Sequence, residues 1–161
     1  MSLSRRTYLK AAAALGVVGA TALAGCSTTA RPGPGTPTPP TYLPTEPEYG
    51  DWFADVGTYT GTLDVRGQPT VPITVGAKGS LGYFKFAPAA VAVSPGTTVT
   101  WTWSGNGGTH DVTALDGTFR SAYSDRPGST FTHTFDVPGV YKYYCTPHRG
   151  MGMKGAVAVV E

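Results

Sequence analysis

The chain has 161 residues, enough for one domain, with 14 prolines and 22 glycines that mark part of it as linker or turn. Charged residues are only 14% of the total, which excludes a charge-rich helical protein, a coiled coil or an acidic tail, while 11% aromatics are enough for a packed core. The formal net charge of +2 is too small to point to a nucleic-acid partner, and a count of two cysteines, Cys26 and Cys145, reads at first as one disulfide in an exported protein.

The first segment is Ser4-Arg5-Arg6-Thr7-Tyr8-Leu9-Lys10, followed by a mildly apolar stretch over residues 11–24. That stretch is short for a membrane-spanning helix, which needs roughly 20 apolar residues. The paired arginines resemble a twin-arginine export signal, and Leu23-Ala24-Gly25-Cys26 resembles a lipoprotein processing site with cleavage before Cys26 and lipid on its thiol. An ordinary secretory signal or an uncleaved anchor is the alternative, and each version puts the domain outside the cytoplasm. Residues 1–25 are thus expected to be an export signal. Their loss removes Arg5, Arg6 and Lys10 and no acid, so the positive charge belongs to the leader.

Residues 26–47 follow as an expected linker, rich in proline and threonine and without apolar periodicity. If polyproline-like throughout, it reaches up to roughly 65 Å at about 3.1 Å per residue. A tether of that length, starting at a lipidated Cys26, would hold a domain clear of a membrane surface.

Residues 48–161 read as one all-β domain. Residues 59–65 and 99–103 alternate apolar side chains with threonine and glycine, and shorter runs at 84–86, 91–93, 131–135, 140–145 and 156–160 are further strands. Pro95-Gly96, Pro127-Gly128 and Pro138-Gly139 punctuate them as turns, and no stretch has a helical period. Seven or eight short strands predict an antiparallel β-sandwich or barrel.

The chemistry is concentrated near the C-terminus, in Tyr144-Cys145-Thr146-Pro147-His148-Arg149-Gly150-Met151-Gly152-Met153. A thiol, an imidazole and two thioethers on one loop between strands form a soft ligand set. With a second imidazole, such a set makes a blue-copper site, in which a trigonal His₂Cys group carries a weak axial methionine. Two other histidines exist. His110 lies in a glycine-rich bend after a strong strand, where a loop at the end of a sandwich meets another loop. His133 lies between Phe131 and Phe135, the setting of a core histidine, so His110 is favoured.

At these residues the chain resembles plastocyanin-type cupredoxins, and halocyanins in particular. Their ligand loop runs Cys, two residues, His, four residues, Met, then a last strand, which here gives Cys145, His148 and Met153. Phe86-Ala87-Pro88, Ser94-Pro95-Gly96-Thr97-Thr98-Val99 and Trp101-Thr102-Trp103 carry the resemblance upstream. It implies a cupredoxin-like Greek-key β-sandwich, one type 1 copper ion, and His110, Cys145, His148 and Met153 as its ligands. It also implies His148 as the electron exit, with Gly150 and Met151 as patch residues and Tyr144 on a second route. Tyr144 reads equally well as a plain sheet aromatic.

Two departures stand out. The family's asparagine after the first histidine is Asp111 here, an acceptor that brings charge near the metal. Met151 offers a shorter spacing, as in the amicyanin branch, and is the fallback axial ligand. The expected function is a monomeric, non-enzymatic electron carrier tethered to the membrane and serving redox protein partners. The alternative is an extracytoplasmic binding or adhesion sandwich with a Cys26–Cys145 disulfide and no copper.

Overall fold

In the computed structural model, which describes residues 39–161, nine β-strands form two sheets. They are β1 (Leu63–Asp64), β2 (Thr70–Gly79), β3 (Gly82–Ala87), β4 (Ala90–Val93), β5 (Thr97–Trp103), β6 (Thr113–Ala114), β7 (Thr130–Phe135), β8 (Gly139–Tyr144) and β9 (Lys154–Val159). One sheet has the order β1-β4-β9-β8-β6 and the other β3-β2-β5-β7. The only helical pieces among the described residues are two 3₁₀ turns, Gly50–Phe53 and Arg149–Met151. The export signal and most of the expected linker, with Cys26, lie outside the described residues.

The core follows the two-residue period of β-structure. β5 alternates buried and half-buried residues, sending Val99, Trp101 and Trp103 inward. β2 does the same with Val71, Ile73 and Val75. From the other sheet Val91, Val93, Tyr143, Val157 and Val159 meet them. β9 is buried on both faces over most of its length, because Tyr49, Phe53 and Val56 cover its outer side and form a second cluster with Ala89, Ala90 and Ala156.

Four expectations need correction. The pairing is mixed: β1 with β4, β4 with β9, and β2 with β5 are parallel. β2 is a ten-residue strand that the pattern hides, because Pro72 and Gly76 interrupt its apolar alternation. Of the run at 59–65, only Leu63–Asp64 is strand. The linker ends earlier than residue 47. Tyr42 bridges Leu63, the Leu43 amide donates to Thr62 O, and the Glu46 carboxylate accepts from the Thr62 amide at 2.9 Å.

Candidate metal centre

Three loops at one end of the sandwich carry the chemistry. His110 ends the glycine-rich bend after β5, Cys145 follows directly on β8, and His148 opens the turn that leads to Met153 and β9. The His110 backbone is fixed by a two-way bridge to Ser124, 2.9 Å in each direction, and its carbonyl accepts from the Trp103 indole. The His148 amide donates to Cys145 O, the Cys145 amide to Met153 O, and the Met153 amide to His148 O. Short-range backbone bonds therefore hold the ligand loop.

His110 Nε2 lies 2.8 Å from the carbonyl oxygen of Asn106. A carbonyl only accepts, so Nε2 carries the ring proton and Nδ1 keeps a bare lone pair. That lone pair faces His148 Nδ1 at 3.1 Å and Cys145 Sγ at 3.6 Å, and Cys145 Sγ is 3.4 Å from His148 Nδ1. The bend can close this tightly only with glycine at 107. Gly107 has φ +82°, and a Cβ there would lie 2.7 Å from Tyr83 O and 3.0 Å from His110 Nε2.

The three donor atoms form a nearly equilateral triangle. A point in its plane lies about 2.0 Å from each corner, close to the bond length at which a first-row ion such as zinc holds imidazole nitrogen. A thiol and two imidazoles are also the soft donor set that suits copper. The residues therefore fit one type 1 copper ion.

Burial shapes the electrostatics. Cys145 and Met153 are fully buried, His110 is 1% exposed, and His148 is partly exposed beside the Phe84 ring, 4.5 Å between centroids. Desolvation pushes the Cys145 thiol up to about 12 despite backbone hydrogen bonds from Asp111 and His148. Burial, then the neighbouring His110, lowers the pKa of His148 below the usual imidazole value.

Asp111 is wholly buried. It accepts the Thr146 amide at 2.6 Å and the hydroxyls of Thr146 and Thr113 at 2.7 and 2.9 Å. Arg120 approaches it at 3.9 Å.

Of the sequence-derived candidates, His110, Cys145 and His148 meet, and Met153 is buried in the same cluster as Cys145. Met151 is 36% exposed. His133 lies apart, stacked on Phe119 and edge-on to Phe135, each at 4.8 Å. Tyr144 lies under Arg149, whose guanidinium carbon is 4.5 Å from the ring centroid. Among the described residues Cys145 has no disulfide partner. Asn106, Thr146, Phe84 and Lys85 were not legible as site residues. Asn106 acts through its carbonyl, which no side-chain pattern reveals; Thr146 stands in the ligand loop but acts on Asp111 across the fold, and Phe84 and Lys85 became neighbours of the loop only through folding.

Comparison with known proteins agrees with the geometry. Residues 73–160 match the family model for copper-binding proteins of the plastocyanin/azurin family. A halocyanin of Natronomonas pharaonis is 50% identical over 105 residues, which span 63% of either chain. A plastocyanin of Scenedesmus fuscus is 32% identical over 97 residues, covering 54% of this chain and 98% of that one. Among solved structures, a purple cupredoxin from Nitrosopumilus maritimus is similar at 31% identity and a TM-score of 0.47, over 56% of this chain and 99% of that one. The matched stretch contains all three converging ligands and Met153, and the chain belongs to the plastocyanin/azurin family of copper-binding proteins.

Proposed function

We propose that the protein is a mononuclear type 1 copper electron carrier, monomeric and non-enzymatic. Lipid on Cys26 tethers it to the outer face of the cell membrane, where it passes single electrons between redox proteins of a membrane electron-transport chain. The observation that carries this reading is the convergence of the Cys145 thiol with the Nδ1 atoms of His110 and His148. Met153, buried beside them, is the weak axial ligand, and Met151 is left to the surface.

Bound in this set, copper supplies a one-electron Cu(I)/Cu(II) couple whose potential the axial sulfur tunes. The chain's own part is to hold the donors still. The Asn106 carbonyl fixes the His110 tautomer and ring, and the loop bonds around Cys145 and His148 are already made. A site held this way rearranges little when its charge changes, and Cys145, Met153 and His110 are buried from water. His148, the least buried of the three ligands, is the electron exit toward a partner, with Gly150 and Met151 beside it. The tether rests on the leader and its Cys26, and on the halocyanin likeness.

The visible spectrum of the oxidised, copper-loaded protein tests the reading. An intense thiolate-to-copper band is expected, absent in Cys145→Ser and His110→Ala and kept in His133→Ala. A wild-type protein that takes up no copper and carries a Cys26–Cys145 disulfide would overturn it in favour of an adhesion or binding module. Mass spectrometry of the membrane-extracted protein tests the lipid on Cys26.

A further inference from the structure

Lys85 lies on β3 between Phe84 and Phe86, and simple alternation would turn it to solvent. It is instead 4% exposed, in a stretch where the β2–β3 register shifts at Ala77. Its ammonium donates to Gly152 O at 3.1 Å and to Met151 O at 3.4 Å, on the turn that joins His148 to Met153. Its stem runs against Gly79, where an added Cβ would come within 2.8 Å.

The turn is packed from the other side as well. A Cβ on Gly152, whose φ is +72°, would fall 2.2 Å from Asp55 O and 3.0 Å from Lys85 Nζ. The Trp52 indole donates to Gly155 O at 3.0 Å. The Asp55 carboxylate is engaged by Lys154 at 2.7 and 2.8 Å, so Lys85 is satisfied by carbonyl oxygens. A buried ammonium is costly, and methionine or leucine would fill the same volume without that cost. The charge therefore has a use that packing alone does not explain.

We propose that Lys85 is a positioning residue for the metal centre: through the Met151 and Gly152 carbonyls it holds the His148–Met153 turn, and as a fixed cation beside that turn it favours Cu(I) over Cu(II). The inference rests on the copper reading above. At the effective dielectric of about 20 that suits buried sites, a unit charge on the order of 10 Å from a redox centre biases a one-electron step by roughly tenfold.

The test uses the full chain with two measurements, the midpoint potential of the copper-loaded form and amide hydrogen exchange of the metal-free form. Lys85→Met is expected to lower the Cu(I):Cu(II) ratio at fixed solution potential about tenfold, ~59 mV for one electron. It should also speed exchange of the Gly152 and Met153 amides. Lys85→Arg should recover the potential. Lys85→Gln, which keeps a donor and loses the charge, should lower the potential with slower exchange than Lys85→Met, and it decides the matter if Lys85→Met does not fold. Variants that melt earlier but keep the wild-type potential and exchange would overturn the proposal and leave Lys85 a packing residue. A wild-type chain without the thiolate band would sink the copper reading instead, and metal-free exchange would still decide whether Lys85 holds the turn.

Discussion

Asp111 and Thr146 lock the two ligand loops together: the Thr146 amide reaches Oδ1 of Asp111 at 2.6 Å and the Thr146 hydroxyl reaches Oδ2 at 2.7 Å. One residue follows a ligand histidine and the other follows the ligand cysteine, so this double bond sets the spacing of His110 and Cys145. The carboxylate is fully buried, and its nearest cation, Arg120, stands 3.9 Å off with a side chain 59% exposed. Solvent screens much of that cation's compensation.

The Asp111→Asn variant should therefore stay folded and raise the midpoint potential. The amide keeps an acceptor for the Thr146 N–H and turns its NH₂ toward hydroxyls that can accept, so the geometry survives while the negative charge is lost. Losing a buried anion disfavours Cu(II), the more positive state, by an amount on the order of tenfold, ~59 mV. Asp111→Ala should instead cost about 1–2 kcal/mol, because the hydrogen bonds that tie the two loops are lost, although the exposed Thr146 can turn its donors to water. Voltammetry and thermal melts separate the two effects, and an unchanged potential in Asp111→Asn would remove any electrostatic role.

The axial ligand is decided by a paired substitution. Met153→Leu conserves volume and should cost less than about 1.5 kcal/mol, yet it removes the thioether from the buried cluster. A shifted absorption band and potential are expected. Met151→Leu, at a surface position, should leave both unchanged. Bleaching in Met151→Leu with a normal Met153→Leu would reverse the assignment.

Copper uptake should release a proton and weaken with acidity. Burial raises the Cys145 thiol to about 12, so the metal-free thiol is protonated at neutral pH and must ionise to bind. His148, lowered below the usual imidazole value, is neutral there and adds no proton. Apparent affinity should rise about tenfold per pH unit through the neutral range. For the metal-free protein the sign is the opposite: a raised thiol pKa contributes stability that is full below the unfolded value near 9.0 and lost as pH rises toward about 12. Titration of proton release against added copper, compared with Cys145→Ser, checks the first statement, and melting of the metal-free protein across that pH range checks the second.

The converging donors were readable because copper chemistry demands particular residue types: Cys145, His148 and the proposed fourth donor Met153 lie within nine residues, and few histidines competed for the remaining position. His133 was separable from His110 by its phenylalanine neighbours, and its ring does pack against Phe119 and Phe135. β2 was hidden because its central prolyl and glycyl positions look like a turn, although Gly76 serves a close approach to Asn106 O instead. Lys85 was illegible for a different reason. A lysine between two phenylalanines reads as the polar face of a strand, yet Lys85 is buried where the β2–β3 register shifts.

The N-terminal clasp gives the last expectation. Glu46 accepts the Thr62 amide at 2.9 Å and the hydroxyls of Thr62 and Tyr59, each at 2.5 Å, while the Thr41 carbonyl accepts the Asp64 amide at 2.8 Å. Burial raises the Glu46 carboxyl, but the bonds from Thr62 and Tyr59 outweigh it and leave the pKa below the usual value. That stabilisation is full above the unfolded carboxylate range and is lost as pH falls through the lowered value. A chain beginning at residue 48 loses both the Glu46 acceptor of the Thr62 amide and the segment that covers it, and should be about 2 kcal/mol less stable than one beginning at residue 39. The difference should shrink as pH falls below the usual carboxylate range, and Glu46→Gln should reproduce part of it at neutral pH. The copper band should be the same in both chains, since the clasp closes on β1 and not on the ligand loops. Equal melting temperatures for the two chains at neutral pH would mean that these bonds add nothing net to the domain.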